Sequence, residues 1–240
     1  AFSTLSSGNG CAVGVATGNS PPAVSAGPAY VIPSGTPFTL TASGSDPDGD
    51  EITFCWEQMN LGAATTLKAA DNGASPLFRS FSASTNRART FPKWTDILNN
   101  LSTPGEKLPT TSRTMSFRVT VRDNRAGGGG VNNADTTITS VASAGPFVVT
   151  SPNTAGVRSG FIEVTWNVAG TASAPINTTG VNILLSTNGG STFSVLLATN
   201  TPNDGSEIVL LPNLATGSAR IMVAGAGNIF FDVSNVNFGI

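Results

Sequence analysis

Histidine is absent from this 240-residue sequence. That removes Ser-His-Asp and Cys-His catalysis, the HExxH zinc site and most catalytic zinc spheres in one step. Catalysis by a carboxylate pair needs two acids held at a set separation across a cleft, and no spacing in the sequence argues for one. Charge is scarce: 11% of residues are charged, against about 25% in an ordinary soluble domain. Formal net charge is −2 and no basic stripe is interleaved with aromatics, which excludes nucleic acid as a partner. The longest apolar runs, such as NILL and IVLL, fall far short of the roughly 20 residues that cross a bilayer, which excludes membrane insertion. No charged n-region or apolar h-region follows Ala1, so any secretion signal is expected either to have been removed or never to have been part of this sequence.

Cysteine is nearly absent too. Cys11 and Cys55 are too few for a disulfide scaffold and too far apart for a CxxC redox or zinc motif. In an oxidising compartment an even pair most simply forms one disulfide. In EITFCWE the alternation places Ile52, Phe54 and Trp56 on one face and Thr53, Cys55 and Glu57 on the other. Cys55 then points away from the core, where a folded-back tail could meet it. The alternative is that Cys11 lost its partner when the chain was cut from something longer.

What is present is Ser, Thr, Asn, 27 Gly and 15 Pro, with Val, Ile, Leu and Phe in short, evenly spaced runs. This is the composition of a secreted, extracellular all-β protein whose solubility comes from hydroxyls and amides, and it is too rich in apolar runs for disorder. Residues 1–22 read as an extended linker ending in NSPP. Period-two alternation then marks strands at 29–32, 37–44, 51–58, 113–123 and 135–143. A boundary near Gly145 separates them from seven further short strands at the spacing of a second sandwich. The fold expected is all-β: two tandem Ig-like β-sandwiches, over 23–145 and 146–240. Trp56 and Trp166 are expected to fill their cores, and Asn188-Gly189 to make a tight hairpin turn.

Residues 58–112 are too long for an ordinary loop and read as an insertion in the first sandwich. Its one helix pattern, at 92–101, sets Trp94, Ile97, Leu98 and Leu101 on one face, expected to pack on the first sandwich. From Gln58 through Arg113 there are seven Lys or Arg against three acids. That asymmetry could steer a partner or a second copy, or belong to a solvated loop.

The chemistry-bearing stretch is SDPDGDEITFCWE, with Asp46, Asp48 and Asp50 two apart. An EF-hand fails here, because Glu51 stands where that loop needs glycine. If the strands before and after this loop are B and C, and SFRVTVRD is F, then the acid loop (B–C) and Asp123 (F–G) share one pole of the sandwich. Converging carboxylates favour a hard divalent cation, and Ca²⁺ suits them. The competing reading is an Asx-rich turn whose aspartates cap backbone N–H groups. RAGGGGVNN at 125–133 is a flexible F–G loop, because no helix N-terminus follows it to hold a phosphate.

TASGSDPDGDEITFCWEQ followed by FRVTVRDNRAGGGG resembles PKD-like and cadherin-like Ig modules of secreted bacterial proteins. With GEKLPTTSRTMSFRVTVRDN it is similar to the module that follows the catalytic domain in bacterial reprolysin-like metallopeptidases. VTSPN, VTWNVAGT, VNILLSTNGGSTF and FFDVSNVNF resemble the Ig-like repeats near the C-termini of such exported proteins. GNGCAVGVATGNSPP looks like the tail of the peptidase domain. The HExxH helix of that domain is missing from the sequence, so the family's activity does not carry over. The resemblance implies a calcium role at Asp46, Asp48, Asp50 and Asp123.

These readings converge on a non-catalytic structural module for surface adhesion or self-assembly. Its partner would be a protein or matrix component, or other copies bound head to tail through AFSTLSS as an added strand on a sheet edge. The alternative is a substrate- or matrix-binding spacer of a secreted metallopeptidase. A glycan platform is disfavoured, with one Tyr, and three Trp of which two belong to cores.

Overall fold

The structure, a computed structural model, describes residues 16–240. Cys11 and the AFSTLSS segment lie outside the described residues. The described residues are all-β apart from one short helix, and form two Ig-like sandwiches.

In the first sandwich, β1 (Ala23–Ser25), β2 (Tyr30–Pro33), β3 (Phe38–Thr41), β4 (Ser43–Ser45) and β5 (Thr53–Gln58) come before the long insertion. After it come β7 (Arg113–Arg122) and β8 (Val131–Val141), the sixth strand lying inside it. One sheet has the order β2-β8-β7-β5, with β2 parallel to β8 and the remaining pairs antiparallel. Strand β7 shows why it forms: Met115, Phe117, Val119 and Val121 alternate with exposed or half-buried positions and are fully buried. That is the period of a strand with one face on a core. From β5, Phe54 and Trp56 point inward, as the alternation predicts. The Trp56 indole donates to the Arg87 carbonyl at 3.1 Å.

The opposing layer holds a correction. Residues 58–112 are only partly an insertion, because β6 (Ala88–Phe91) pairs antiparallel with β3 and completes the sandwich. Its sequence, ARTF, is too short and too polar to show a period; the open edge of β3 recruits it. Phe91 stacks on Phe38 with centroids 5.0 Å apart. Phe78 and Phe117 close the cluster with edge-on and tilted contacts. Four buried phenylalanines meet here, each contributing about 1.5–3 kcal/mol through area removed from water.

The rest of the insertion is held by polar ties. The Gln58 side-chain carbonyl accepts the N–H groups of Leu77 and Phe78 at 2.7 and 3.1 Å. Arg113 pairs with Asp71 at 2.6 Å, both side chains almost fully buried. Arg89 pairs with Glu106 at 2.9 Å. These pairs use two of the segment's three acids, and its excess of positive charge remains.

The second sandwich has seven strands: β9 (Val148–Ser151), β10 (Phe161–Asn167), β11 (Gly180–Ser186), β12 (Val195–Pro202), β13 (Ser206–Leu210), β14 (Arg220–Gly225) and β15 (Phe231–Val233). A sheet of order β13-β10-β9 faces one of order β12-β11-β14-β15. Trp166 fills the core as expected, and its indole donates to the Asn203 side-chain carbonyl at 2.8 Å. Between β11 and β12 the turn differs from the expected Asn188-Gly189 pair. The left-handed residues are Gly189 and Gly190, and Asn188 instead accepts the Thr192 N–H at 2.9 Å.

The two sandwiches are joined by backbone as well as side chains. Phe38 bridges Phe230, the Thr39 N–H donates to the Ile229 carbonyl at 3.1 Å, and the Phe231 N–H donates to Pro37 at 3.0 Å. Residues 229–231 thus lie on the free side of β3 and lead into β15, so hydrogen bonding runs from one sandwich into the other. Helix α1 (Trp94–Asn99) strengthens the joint and corrects a second expectation, because it packs on the second sandwich. The Trp94 indole donates to the Gly190 carbonyl at 3.0 Å and its ring meets Phe193 and Phe231. Gly190 takes a φ of 90°, which favours glycine, and the end of the Leu98 side chain fills the space where a Cβ would stand. Leu101, assigned to the same face, is exposed.

Candidate metal centre

The B–C loop follows β4. Asp46 follows the strand directly, Pro47 supplies a fixed φ, and Gly49 takes a φ of 82° that other residues resist. One carboxylate oxygen of Asp46 accepts the N–H groups of Asp48 and Asp50 at 2.9 and 3.2 Å, an Asx turn that folds the loop onto itself. This folding brings one oxygen from each of Asp46, Asp48 and Asp50 within 4.8 Å of one another. The second oxygens of Asp46 and Asp50 are shielded from solvent and have no hydrogen-bond partner.

The F–G loop meets the B–C loop at the same pole. The Asn124 side-chain amide donates to the Glu51 carbonyl at 3.3 Å and to the Thr53 hydroxyl at 3.1 Å. Asp123, however, does not join the group of three. It is buried and takes the Gly130 N–H at 2.8 Å, the Asn19 amide at 2.7 Å and the Arg125 N–H at 3.2 Å. The Asn19 hydrogen bond, then the backbone N–H groups, hold its carboxyl below the usual carboxylate range against the opposing effect of burial. Saturated with N–H donors, Asp123 shapes the F–G loop from which the next residues reach out.

The residue that sequence reasoning missed is Arg125. Its guanidinium stands 3.6 Å from Asp48 and 3.7 Å from Asp50. The signal was available as an arginine two residues after Asp123, but its reach across the pole depends on both loops. Ser20 was missed as well; its N–H donates to Asp48 at 2.6 Å and ties the entering chain to the acid loop.

Three carboxylates this close repel one another by about 1–3 kcal/mol per pair at effective dielectrics from 80 down to 20. Arg125 offsets one of the three charges, leaving two negative charges that match a divalent cation. Oxygens 4.8 Å apart or less fit a sphere with cation–oxygen distances of about 2.4 Å. The donor set is hard, all oxygen, which suits Ca²⁺ better than thiolate- or imidazole-seeking metals.

Cys55 faces away from the core, as expected, and its thiol lies 3.3 Å from the Phe81 carbonyl under the insertion. Burial, then Glu57, push its pKa up. The expected partner, Cys11, lies outside the described residues.

No protein-family model matches the sequence, and no curated protein matches it. Among solved structures the chain is similar to the FN1–FN3 domains of chicken CNTN1, at 14% identity over 87% of this chain and 63% of that one, with a TM-score of 0.29. It is similar to the PKD domain of human KIAA0319, at 16% identity over 56% of this chain and 96% of that one, TM-score 0.28. It is also similar to Drosophila N-cadherin EC1-3, at 11% identity over 92% of this chain and 67% of that one, TM-score 0.25. Likeness at this level leaves function to the chain's own residues. Among those described, no helix is long and apolar enough to cross a membrane.

Proposed function

We propose that this chain is a non-catalytic extracellular structural module: two Ig-like sandwiches acting as one stiff unit, calcium-stabilised at one pole, for adhesion or self-assembly. The observation that carries the reading is the joint. Main-chain hydrogen bonds, from the Phe231 N–H to the Pro37 carbonyl and from the Thr39 N–H to the Ile229 carbonyl, continue the first sandwich into the second. A flexible tandem needs no such bonds, whereas a load-bearing spacer benefits from them. In this reading Asp46, Asp48 and Asp50 hold the ion, Arg125 offsets part of their charge, and a Cys11–Cys55 bridge pins the entering chain to β5.

The calcium part is tested by calorimetric melting with Ca²⁺ and with EDTA. At a free ion concentration 100 times Kd the stabilisation is about 2.7 kcal/mol. For a chain of this size that raises the midpoint by about 5–10 °C. Asp46→Asn/Asp50→Asn should abolish the difference. Equal midpoints for the unsubstituted chain would reduce the acid loop to an Asx turn.

A further inference from the structure

The second sandwich has one side that the first does not cover. Strands β12 and β13 are the outer strands of its two sheets, each paired on one side only. Between them lies an open groove of about 730 Å³ whose lining includes Val195, Leu196, Leu210, Leu211, Leu214 and Ile240. Leu196 is 56% exposed and Leu210 is 57% exposed. Phe161 and Ile208 on the adjoining outer face are also exposed. Edge strands are usually guarded by charge, proline or a covering segment; β12, VLLATNTP, carries no charge and has proline only at its end.

We propose that this groove receives residues 1–15 of a second copy, joining molecules head to tail. This deepens the self-assembly reading above by naming the surface and its occupant. Residues 1–15 contain no charged side chain, and Phe2 and Leu5 supply large apolar groups to an apolar, uncharged groove. An extended segment would bond the open backbone of β12 while those side chains fill the space between the sheet edges.

Length decides which copy donates. The chain leaves the described part at the acid-loop pole, where Ser20 is bonded to Asp48. From that pole, β4 and β3 run back to Phe38, which is level with Phe230 and Gly225. Register then carries Gly225 to Val181 and Thr201, and β12 continues from there in the same direction to Val195. Ser45 to Phe38 and Thr201 to Val195 together span about 43 Å along the strands, at about 3.3 Å per residue. The eleven steps from Ala16 to Leu5 reach about 36–40 Å fully extended, so Leu5 of the same chain could touch only the near end of the groove, at Leu197, and only with every residue taut. A Cys11–Cys55 bridge would shorten that reach further. In a second copy placed end to end no length is lost, and because donor and acceptor sites lie at opposite ends, the contact repeats as an open filament.

The test uses the full chain and two double variants. Leu196→Glu/Leu210→Glu spoils the groove, and Phe2→Glu/Leu5→Glu spoils the donor. Sedimentation and electron microscopy should show linear oligomers for the unsubstituted chain, and monomers with an unchanged melting midpoint for each variant. An equimolar mixture of the two variants should give dimers that do not extend, since it holds one intact donor and one intact groove. Oligomers of the groove variant equal to those of the unsubstituted chain would overturn the groove and leave self-assembly standing. No dimer in the mixture would also overturn the groove. An unsubstituted chain that stays monomeric at high concentration would overturn both.

Discussion

The two sandwiches satisfy their buried polar groups by different means. All six close ion pairs among the described residues lie in the first sandwich, its insertion and its acid pole. The second relies on amides and hydroxyls. Asn203 sits in its core, takes the Trp166 indole N–H, and donates to the Thr171 hydroxyl and the Thr178 carbonyl, each at 2.8 Å. Its buried Arg220 donates to the Ser234 carbonyl and the Asn237 side chain, both neutral. The difference follows from architecture. Seven strands build the second core, whereas the first carries an appended segment whose phenylalanines enter the core and whose loops are tied by the Asp71–Arg113 and Glu106–Arg89 pairs.

That contrast can be broken most sharply at Arg113. Arg113→Met leaves the Asp71 carboxylate without its cation and the Ala74 and Ser75 carbonyls without a donor. Removing one partner of a buried pair costs about 3–5 kcal/mol. Denaturant unfolding should show that loss, with the insertion becoming sensitive to protease. A loss below 1 kcal/mol would mean that Gln58 and Phe78 anchor the insertion unaided.

The second sandwich should show the largest dependence on pH. Asp232 accepts the N–H of Val149 at 2.7 Å, yet burial raises its pKa from 3.8 to about 7. A raised carboxyl pKa means that the folded state binds the proton more tightly than the unfolded state. Its contribution is fully present below the unfolded value and is lost as pH rises through about 7. At about 1.4 kcal/mol per unit the loss is at most about 4 kcal/mol. Asp71 and Asp123, whose pKa values are lowered, act in the opposite sense and only at acid pH. Glu106 is raised by burial and adds to the decline from the first sandwich. Melting midpoints between pH 5 and 8 should therefore fall, and Asp232→Asn should flatten most of the fall. An unchanged slope in that variant would assign the effect to Glu106.

The smallest effect is expected at the amide hub. Asn203→Ala orphans the Trp166 indole and the Thr178 carbonyl, at about 1–3 kcal/mol for buried groups left unsatisfied. Against Arg113→Met, it compares a neutral anchor with an ionic one by the same denaturant measurement. A larger loss at Asn203 would reverse the contrast.

Strand alternation made β5, β7 and the seven strands of the second half legible, because a one-sided core imposes period two on any strand that faces it. Trp56 and Trp166 were legible for the same reason. Strand β6 was not, since four residues with one buried aromatic carry no period. Helix α1 showed its apolar face but not its target, because the spacing of apolar residues marks a face without saying which surface it meets. At the candidate centre, the aspartate spacing and the shared pole of the two loops were readable from strand order. The withdrawal of Asp123 to the Gly130 and Asn19 donors, and the arrival of Arg125, were not.

By itself the sequence determined an all-β chain of two sandwiches, without histidine chemistry and with three aspartates clustered just before strand β5, because composition and short-range period are local properties. Only the tertiary structure decided that Phe230 and Ile229 would dock beside β3, that Arg125 would face Asp48 and Asp50, and that no other described strand would pair with the outer edge of β12. Each of these depends on residues far apart in the chain meeting in space, and no local pattern encodes which distant surface a free edge or a long cationic side chain will find.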